Sequence, residues 1–121
     1  MNFSAQTERA GDGVCVISVH GEADLYTSPE LKHHVIEAIA RGNRSIIVDL
    51  TRATFIDSTA LGVLTSARKR LTPANGRIAV VCTDRNIRKI FEVTGLDRVF
   101  SLYETRDVAL ANGNGEGPAI H

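Results

Sequence analysis

The segment from Ser45 to Leu71 joins a short apolar run to an amphipathic one, and it constrains the fold more than any other part of the chain. The apolar run in its first half is too short for a helix and is typical of a strand covered on both faces. The apolar residues there are Ile46, Ile47, Val48 and Leu50. In the second half, apolar residues recur at spacings of three and four, which predicts a helix with one buried stripe. That stripe consists of Ala60, Val63, Leu64, Ala67 and Leu71. A covered strand followed by such a helix is the repeating unit of an α/β fold.

The rest of the chain continues this alternation. We expect strands at 3–9, 14–19, 45–50, 77–82 and 99–103, and helices at 28–42, 59–71, 86–94 and 105–111. Gly11-Asp12-Gly13 is predicted to turn the first two strands into an antiparallel hairpin. Ser28 is predicted to cap the first helix with Pro29 at the first helical position, and Gly95 to close the third helix in a left-handed conformation.

These elements predict a single α/β domain over residues 1–111. Its sheet is expected to be mixed and mostly parallel, with about five short strands, an N-terminal hairpin and helices packed on it. Residues 112–121 are rich in glycine and have little to bury, so we expect a disordered C-terminal tail there.

Charge and hydropathy limit the classes of function. Lys plus Arg is 14 and Asp plus Glu is 14, so the charge balance gives no reason to expect binding to nucleic acid or to an anionic membrane. No stretch has a signal-peptide pattern or approaches the ~20 apolar residues that cross a bilayer, so we expect a cytoplasmic protein. Cys15 and Cys82 lie in separate apolar runs without metal-ligand spacing and are predicted to be buried free thiols.

Polar side chains fall where the second and third predicted strands end. Asp57 precedes the second helix, where its side chain can accept first-turn amide protons as an N-cap, and Ser58 then lies at the positive end of that helix. Asp24 follows the second strand, and Asp49 ends the third strand before a predicted connection over 51–58. Sites of parallel sheets are built at the carboxyl ends of strands, so we expect Asp24 and Ser58 to approach each other.

Each of these residues also has a purely structural interpretation. Asp57 is then only a cap, Asp24 forms a turn, and Asp49 bonds loop amides. Gly62 either packs tightly on the sheet or lets a partner backbone come close. Arg68-Lys69-Arg70 is typical of a solvated helix end that complements the helix dipole.

Three segments together resemble the STAS domain, and specifically the bacterial anti-anti-sigma factors. They are Gly21-Glu22-Ala23-Asp24, Val48-Asp49-Leu50 and Phe55-Ile56-Asp57-Ser58-Thr59-Ala60-Leu61-Gly62, and the resemblance extends from about residue 3 to about residue 111. It implies a non-enzymatic switch protein that binds an anti-sigma factor when unphosphorylated and so frees a sigma factor. Phosphorylation by that same anti-sigma factor then releases the complex.

Carried over by position, the resemblance makes Ser58 the phosphoacceptor, with Asp57 and Asp24 contributing to the contact. Where the family usually has a second serine and a glycine, this chain has Thr59 and Ala60, which leaves open a second modification at Thr59. The partner-binding surface is expected to contain Asp24, Ser28, Asp57, Ser58, Thr59, Gly62, Thr65, Ser66 and Lys69. The implied partners are an ATP-dependent GHKL-type serine kinase and a phosphatase for phospho-Ser58. The chain itself is expected to need no cofactor and to bind neither nucleic acid nor membrane.

The chemistry of the helix start favours such a switch. A phosphate on Ser58 would carry about −1.5 to −2 charges, which the helix N-terminus tolerates, so the fold should survive phosphorylation. The same charge buried without a partner costs several kcal/mol, so a complex should dissociate.

Other classes fit the sequence less well. The sequence lacks the GxSxG motif of a serine hydrolase, and His33 and His34 are predicted to lie on a helix exterior. A phosphoaspartate receiver domain would use Asp49, but this sequence has no adjacent acidic pair near its first strand to hold the metal ion. The alternative that stays open is a STAS scaffold or ligand-binding subunit of a lipid transporter or signalling assembly.

Overall fold

A five-stranded sheet in the order β1-β2-β3-β4-β5 organises the protein. The structure is a computed structural model and describes residues 2–112. The strands are β1 (Phe3–Gly11), β2 (Val14–Ala23), β3 (Ser45–Ile56), β4 (Arg77–Val81) and β5 (Ser101–Tyr103). The helices are α1 (Ser28–Ala40), α2 (Ser58–Leu71), α3 (Arg85–Val93) and α4 (Arg106–Asn112), with short 3-10 turns at Thr72–Ala74 and Leu96–Arg98.

The pairing of the strands confirms the predicted mixed sheet. β1 and β2 are antiparallel, and all later neighbours are parallel. Asn112, predicted to begin the tail, is instead the last residue of α4. Residues 113–121 of the predicted tail lie outside the described residues, so their disorder stays a prediction.

The two faces of the sheet bury different amounts of apolar surface. One face carries the larger cluster, which includes Ile17, Val48 and Val80 and is covered by α1, α2 and α3. The other face carries a smaller cluster around Ile47 and Val81, which packs beneath α4. Successive strand residues point to opposite faces, so the nearly unbroken apolar runs in β2, β3 and β4 supply both clusters.

The third strand is longer than predicted, because β3 continues through the segment expected to be a connection. It stays paired with β2 as far as Ala23 opposite Ile56, with register irregularities between Ser18 and His20 and between Gly21 and Glu22. In this half of β3 only Ala53 and Ile56 are buried. Its sequence therefore shows neither a continuous apolar run nor strict alternation, and these are the signals by which strands are recognised.

The first helix begins differently from the prediction. Thr27 is its N-cap residue, while Ser28 is its first residue and is buried, so the predicted cap at Ser28 is wrong. The Thr27 hydroxyl is engaged in the preceding turn: it accepts the amide of Asp24 at 2.8 Å and donates to the carbonyl of Glu22 at 2.6 Å. The turn after β2 is thus held by side-chain bonds before the helix starts.

Asp49 lies inside β3 and not at its end, so the predicted position is wrong. Its carboxylate accepts a 2.6 Å bond from Nε of Arg106, the first residue of α4, and also accepts the Thr51 amide at 2.9 Å. Arg106 also donates to Ser18 on β2 and, at 3.0 Å, to Glu8 on β1. Burial works to raise the pKa of Asp49, but the bonds from Arg106 and Thr51 outweigh it, so the pKa lies below its usual value. One arginine therefore ties α4 to three strands.

Both cysteines are buried and free, as predicted. Burial raises the pKa of the Cys15 thiol to about 11, so this side chain stays protonated and unreactive at neutral pH. Between residues 2 and 112, no helix combines the length and apolar character that crossing a membrane requires.

Candidate functional site

The loops that follow β2 and β3 meet at one edge of the sheet. Ala23 and Ile56 are register partners at the ends of these parallel strands. The next residue along, Asp57, donates its backbone amide to the Ala23 carbonyl at 3.1 Å. Asp24 and Ser58 each adjoin a residue of this bonded pair, so the structure brings the two loops together in the way that the strand order predicts.

Gly21 allows the start of β1 to close against the end of β2. Its φ is +89°, and a Cβ atom there would lie 2.0 Å from the carbonyl oxygen of Asn2. That same oxygen accepts the Glu22 amide at 2.9 Å. Any other residue would push the strands apart just before Asp24, so Gly21 helps to position the loop.

Asp24 organises the loop between β2 and α1. Its Oδ1 accepts the amides of Tyr26 at 2.9 Å and Thr27 at 3.1 Å. The side chain is only half-buried. Asp24 therefore forms the turn, as its structural interpretation predicts, and also remains partly open to a partner.

Asp57 is the N-cap of α2, as predicted. Its Oδ1 accepts the amides of Thr59 at 2.9 Å and Ala60 at 3.1 Å. Ser58 follows as the first residue of the helix, and its side chain is exposed. The arrangement fixes an accessible hydroxyl at the positive end of a 14-residue helix, where an added anion is tolerated.

We expect Asp57→Ala to lower the free energy of unfolding by about 1 kcal/mol, because two first-turn amides lose their acceptor. Urea denaturation followed by circular dichroism measures the change. Asp57→Asn is the matched control, since it keeps a capping oxygen and should lose much less. An equal loss in both variants would show that the charge of Asp57, and not its hydrogen bonds, stabilises the domain.

An exposed flank of α2 continues from Ser58 along the helix. Its exposed members are Ser58, Thr59, Gly62, Ser66 and Lys69, while Thr65 is half-buried and donates to the Leu61 carbonyl at 2.9 Å. A Cβ atom at Gly62 would meet nothing within 4 Å, so the interpretation that Gly62 packs on the sheet is wrong. Besides the half-buried Thr65, Ser28 also departs from the predicted exposed surface, since it is only 2% exposed.

Sequence reasoning missed three exposed apolar side chains around these loops. Leu25 is 61% exposed and Tyr26 is 76% exposed in the loop after Asp24, and Phe55 is 48% exposed just before Ile56. Exposed apolar side chains grouped beside polar ones are typical of interaction surfaces. The available signal was Leu25-Tyr26 inside the turn that Asp24 begins, where polar residues are usual.

The histidines lie in a different place. His34 Nδ1 is hydrogen-bonded to the Thr7 hydroxyl at 2.8 Å, and both His33 and His34 line a cleft between α1 and the β1–β2 hairpin. His34 therefore not only lies on the outside of α1, as predicted, but also joins this helix to the edge strand β1. Within the described part of the chain, no group of three or more His, Cys, Asp or Glu side chains is placed to hold a metal ion.

Comparison with known proteins gives a consistent result. The family model of the STAS domain matches residues 6–109. An anti-sigma-B factor antagonist of Staphylococcus aureus is 31% identical over 108 residues, which cover 89% of this chain and 99% of that protein.

Solved structures show the same similarity. A crystal structure of an anti-sigma factor antagonist from Mycobacterium paratuberculosis has a TM-score of 0.84 and 32% identity, covering 93% of this chain and 94% of that one. The Bacillus cell fate determinant SpoIIAA in its phosphorylated form has a TM-score of 0.71 and 25% identity, covering 89% of this chain and 97% of that one. These relatives include a protein that exists in a phosphorylated form and others named as antagonists of anti-sigma factors.

Proposed function

This chain belongs to the STAS domain family, and from that premise we propose that it is an anti-sigma factor antagonist switched off by phosphorylation of Ser58. In its unphosphorylated form it binds an anti-sigma factor that is also a serine kinase, and a sigma factor is released. The kinase then uses ATP to modify Ser58, and a phosphatase reverses the modification. The chain acts by binding in the cytoplasm and catalyses no reaction itself.

The observation that carries this proposal is the exposed Ser58 hydroxyl at the start of α2, directly after the Asp57 cap. The cap satisfies the Thr59 and Ala60 amides without using Ser58, so the serine is free for another role. The names of the relatives and the phosphorylated form of SpoIIAA support the same role.

The proposed contact surface surrounds this serine. It contains the exposed flank of α2, the half-buried Asp24 and the exposed apolar side chains of Leu25 and Tyr26. Apolar and aromatic side chains at the centre of an interface supply most of its binding energy. A phosphate introduced beside them is then desolvated without a partner, which costs several kcal/mol and releases the complex.

The direct test is phosphorylation in solution. The protein is incubated with ATP and candidate anti-sigma kinases from its source organism, and the product is analysed by intact mass and peptide mapping. We expect one phosphate on Ser58, none in Ser58→Ala, and loss of kinase binding in the phosphorylated protein. A phosphate retained by Ser58→Ala would assign the acceptor to Thr59 or another site. No phosphate from any kinase would instead favour a scaffold or ligand-binding subunit.

Gly62 offers a separate check of the contact surface. Gly62→Ala should raise the free energy of unfolding by about 0.5–1 kcal/mol, because glycine is unfavourable inside a helix and the new methyl group meets nothing. The same methyl group should weaken kinase binding if the partner backbone approaches here. Thermal unfolding and titration calorimetry measure the two effects. Ser66→Ala, on the same flank, adds no bulk and should leave binding nearly unchanged.

A further inference from the structure

A groove of about 650 Å³ lies between α1 and α2. Thr59, Gly62 and Ser66 contribute to its lining and also belong to the exposed flank of α2. The groove is therefore continuous with the proposed contact surface, and Thr59 places one end of it directly beside Ser58.

The groove is apolar but carries positive charge. Val35, Ile36 and Val63 contribute apolar lining, and the charged residues of the lining are Lys32, in the second turn of α1, and Arg70, in the last turn of α2. Both cations are exposed, and neither takes part in an ion pair within residues 2–112. Two cations around an apolar groove are complementary to an apolar segment that carries carboxylates.

Two further residues of the groove lining, one polar and one apolar, are in unfavourable surroundings in the isolated chain. The Ser28 hydroxyl oxygen is buried and lacks a hydrogen-bond partner in the part of the chain that the structure describes. Leu25 contributes to the same lining while most of its side chain is exposed. A bound segment that covers Leu25 gains apolar burial.

We propose that the groove receives an apolar segment of the anti-sigma factor whose carboxylates pair with Lys32 and Arg70. This inference rests on the proposed function, since it takes the anti-sigma factor as the partner, and it names the part of that partner that binds here. Phosphate on Ser58 then adds negative charge beside the Thr59 end of the groove, so it repels the nearest carboxylates of the segment in addition to being desolvated. Salt screens its effect on a carboxylate at Arg70, which lies in the last turn of α2.

The test is the double variant Lys32→Glu/Arg70→Glu, measured for anti-sigma factor binding by titration calorimetry at low and high salt. We expect its affinity to fall at least about tenfold at low salt, because two attractive contacts become repulsive. The affinity of the wild type should decrease as salt screens the attraction, and that of the variant should not. Arg85→Glu/Lys89→Glu on α3, outside the groove lining, makes the same change in net charge and should bind as the wild type does.

The outcomes separate this inference from the function on which it rests. Wild-type affinity in Lys32→Glu/Arg70→Glu, with affinity still strongly lowered in Ser58→Asp, would overturn the groove and leave the function standing. A wild-type protein that binds no anti-sigma factor would overturn both. If the double reversal prevents folding, Lys32→Gln/Arg70→Gln removes the same charges and is measured instead. Saturable binding of decanoate to the free protein, lost in the double variant while anti-sigma factor affinity is retained, would assign the groove to a small anionic amphiphile.

Discussion

Ser58→Asp should lower the affinity for the anti-sigma kinase about a hundredfold or more while the melting temperature stays close to that of the wild type. The Ser58 side chain is exposed, so the free domain can accept a negative charge there. The positive end of the α2 dipole favours that charge. In the proposed complex the same carboxylate would be desolvated without a partner. That costs several kcal/mol, and each ~1.4 kcal/mol is a tenfold change in affinity.

Two variants make this measurement specific. Ser58→Ala should bind as the wild type does and resist phosphorylation, so it should act as a permanently active antagonist. Thr59→Asp places the same charge one residue further along the helix and shows how strictly the position matters. A large drop in the melting temperature of Ser58→Asp would mean that Ser58 has a structural role, in contradiction to the proposal.

Arg106→Ala should destabilise the domain by about 2–3 kcal/mol, because it leaves the Asp49 carboxylate buried without its cation. Breaking a fully buried ion pair typically costs 3–5 kcal/mol, and we expect less here because the Arg106 side chain is 40% exposed. The bonds from Arg106 to Ser18 and Glu8 are lost as well. Chemical denaturation measures the effect. Arg41→Ala, which breaks the exposed pair with Glu37, is the matched control and should cost about 0.5 kcal/mol or less.

The same pair predicts how stability depends on pH. The folded pKa of Asp49 lies below its ordinary value, so the stabilisation is complete above about 4, the usual pKa of an unfolded aspartate. It is lost as the pH falls further and the carboxylate becomes protonated in the folded protein too. The difference in unfolding free energy between wild type and Arg106→Ala should therefore shrink in acid. A difference that stays constant down to pH 2 would show that Arg106 acts through packing alone.

The fold was predictable where each residue type points to one local structure. Apolar runs such as Ile46–Val48 predict covered strands, and Asp57 before an amphipathic stripe predicts the start of α2, which its capping bonds confirm. The second half of β3 was not predictable, because pairing with β2 and not side-chain pattern holds it in the sheet. Asp49 shows the same limit, since its partner Arg106 is 57 residues away in the chain.

The candidate site likewise contains residues whose positions were predictable from sequence and others whose exposure or burial was not. Asp24, Asp57 and Ser58 were predictable because strand ends and helix starts have recognisable residues, and the parallel order of β2 and β3 brings them to one edge. The exposure of Leu25 and Tyr26 was not, because apolar residues are expected inside. Nor was the burial of Ser28, which depends on how α1 packs.

The bond from the Asp57 amide to the Ala23 carbonyl also bears on how fast such a protein responds. It joins both loops of the proposed contact surface within the free chain, so the proposed phosphate would be added to a surface that is already assembled. Domains that order a segment in response to a signal must wait for that rearrangement. Here we expect no such delay: the time course of the response should follow the rates at which phosphate is added and removed, together with the dissociation rate of the complex.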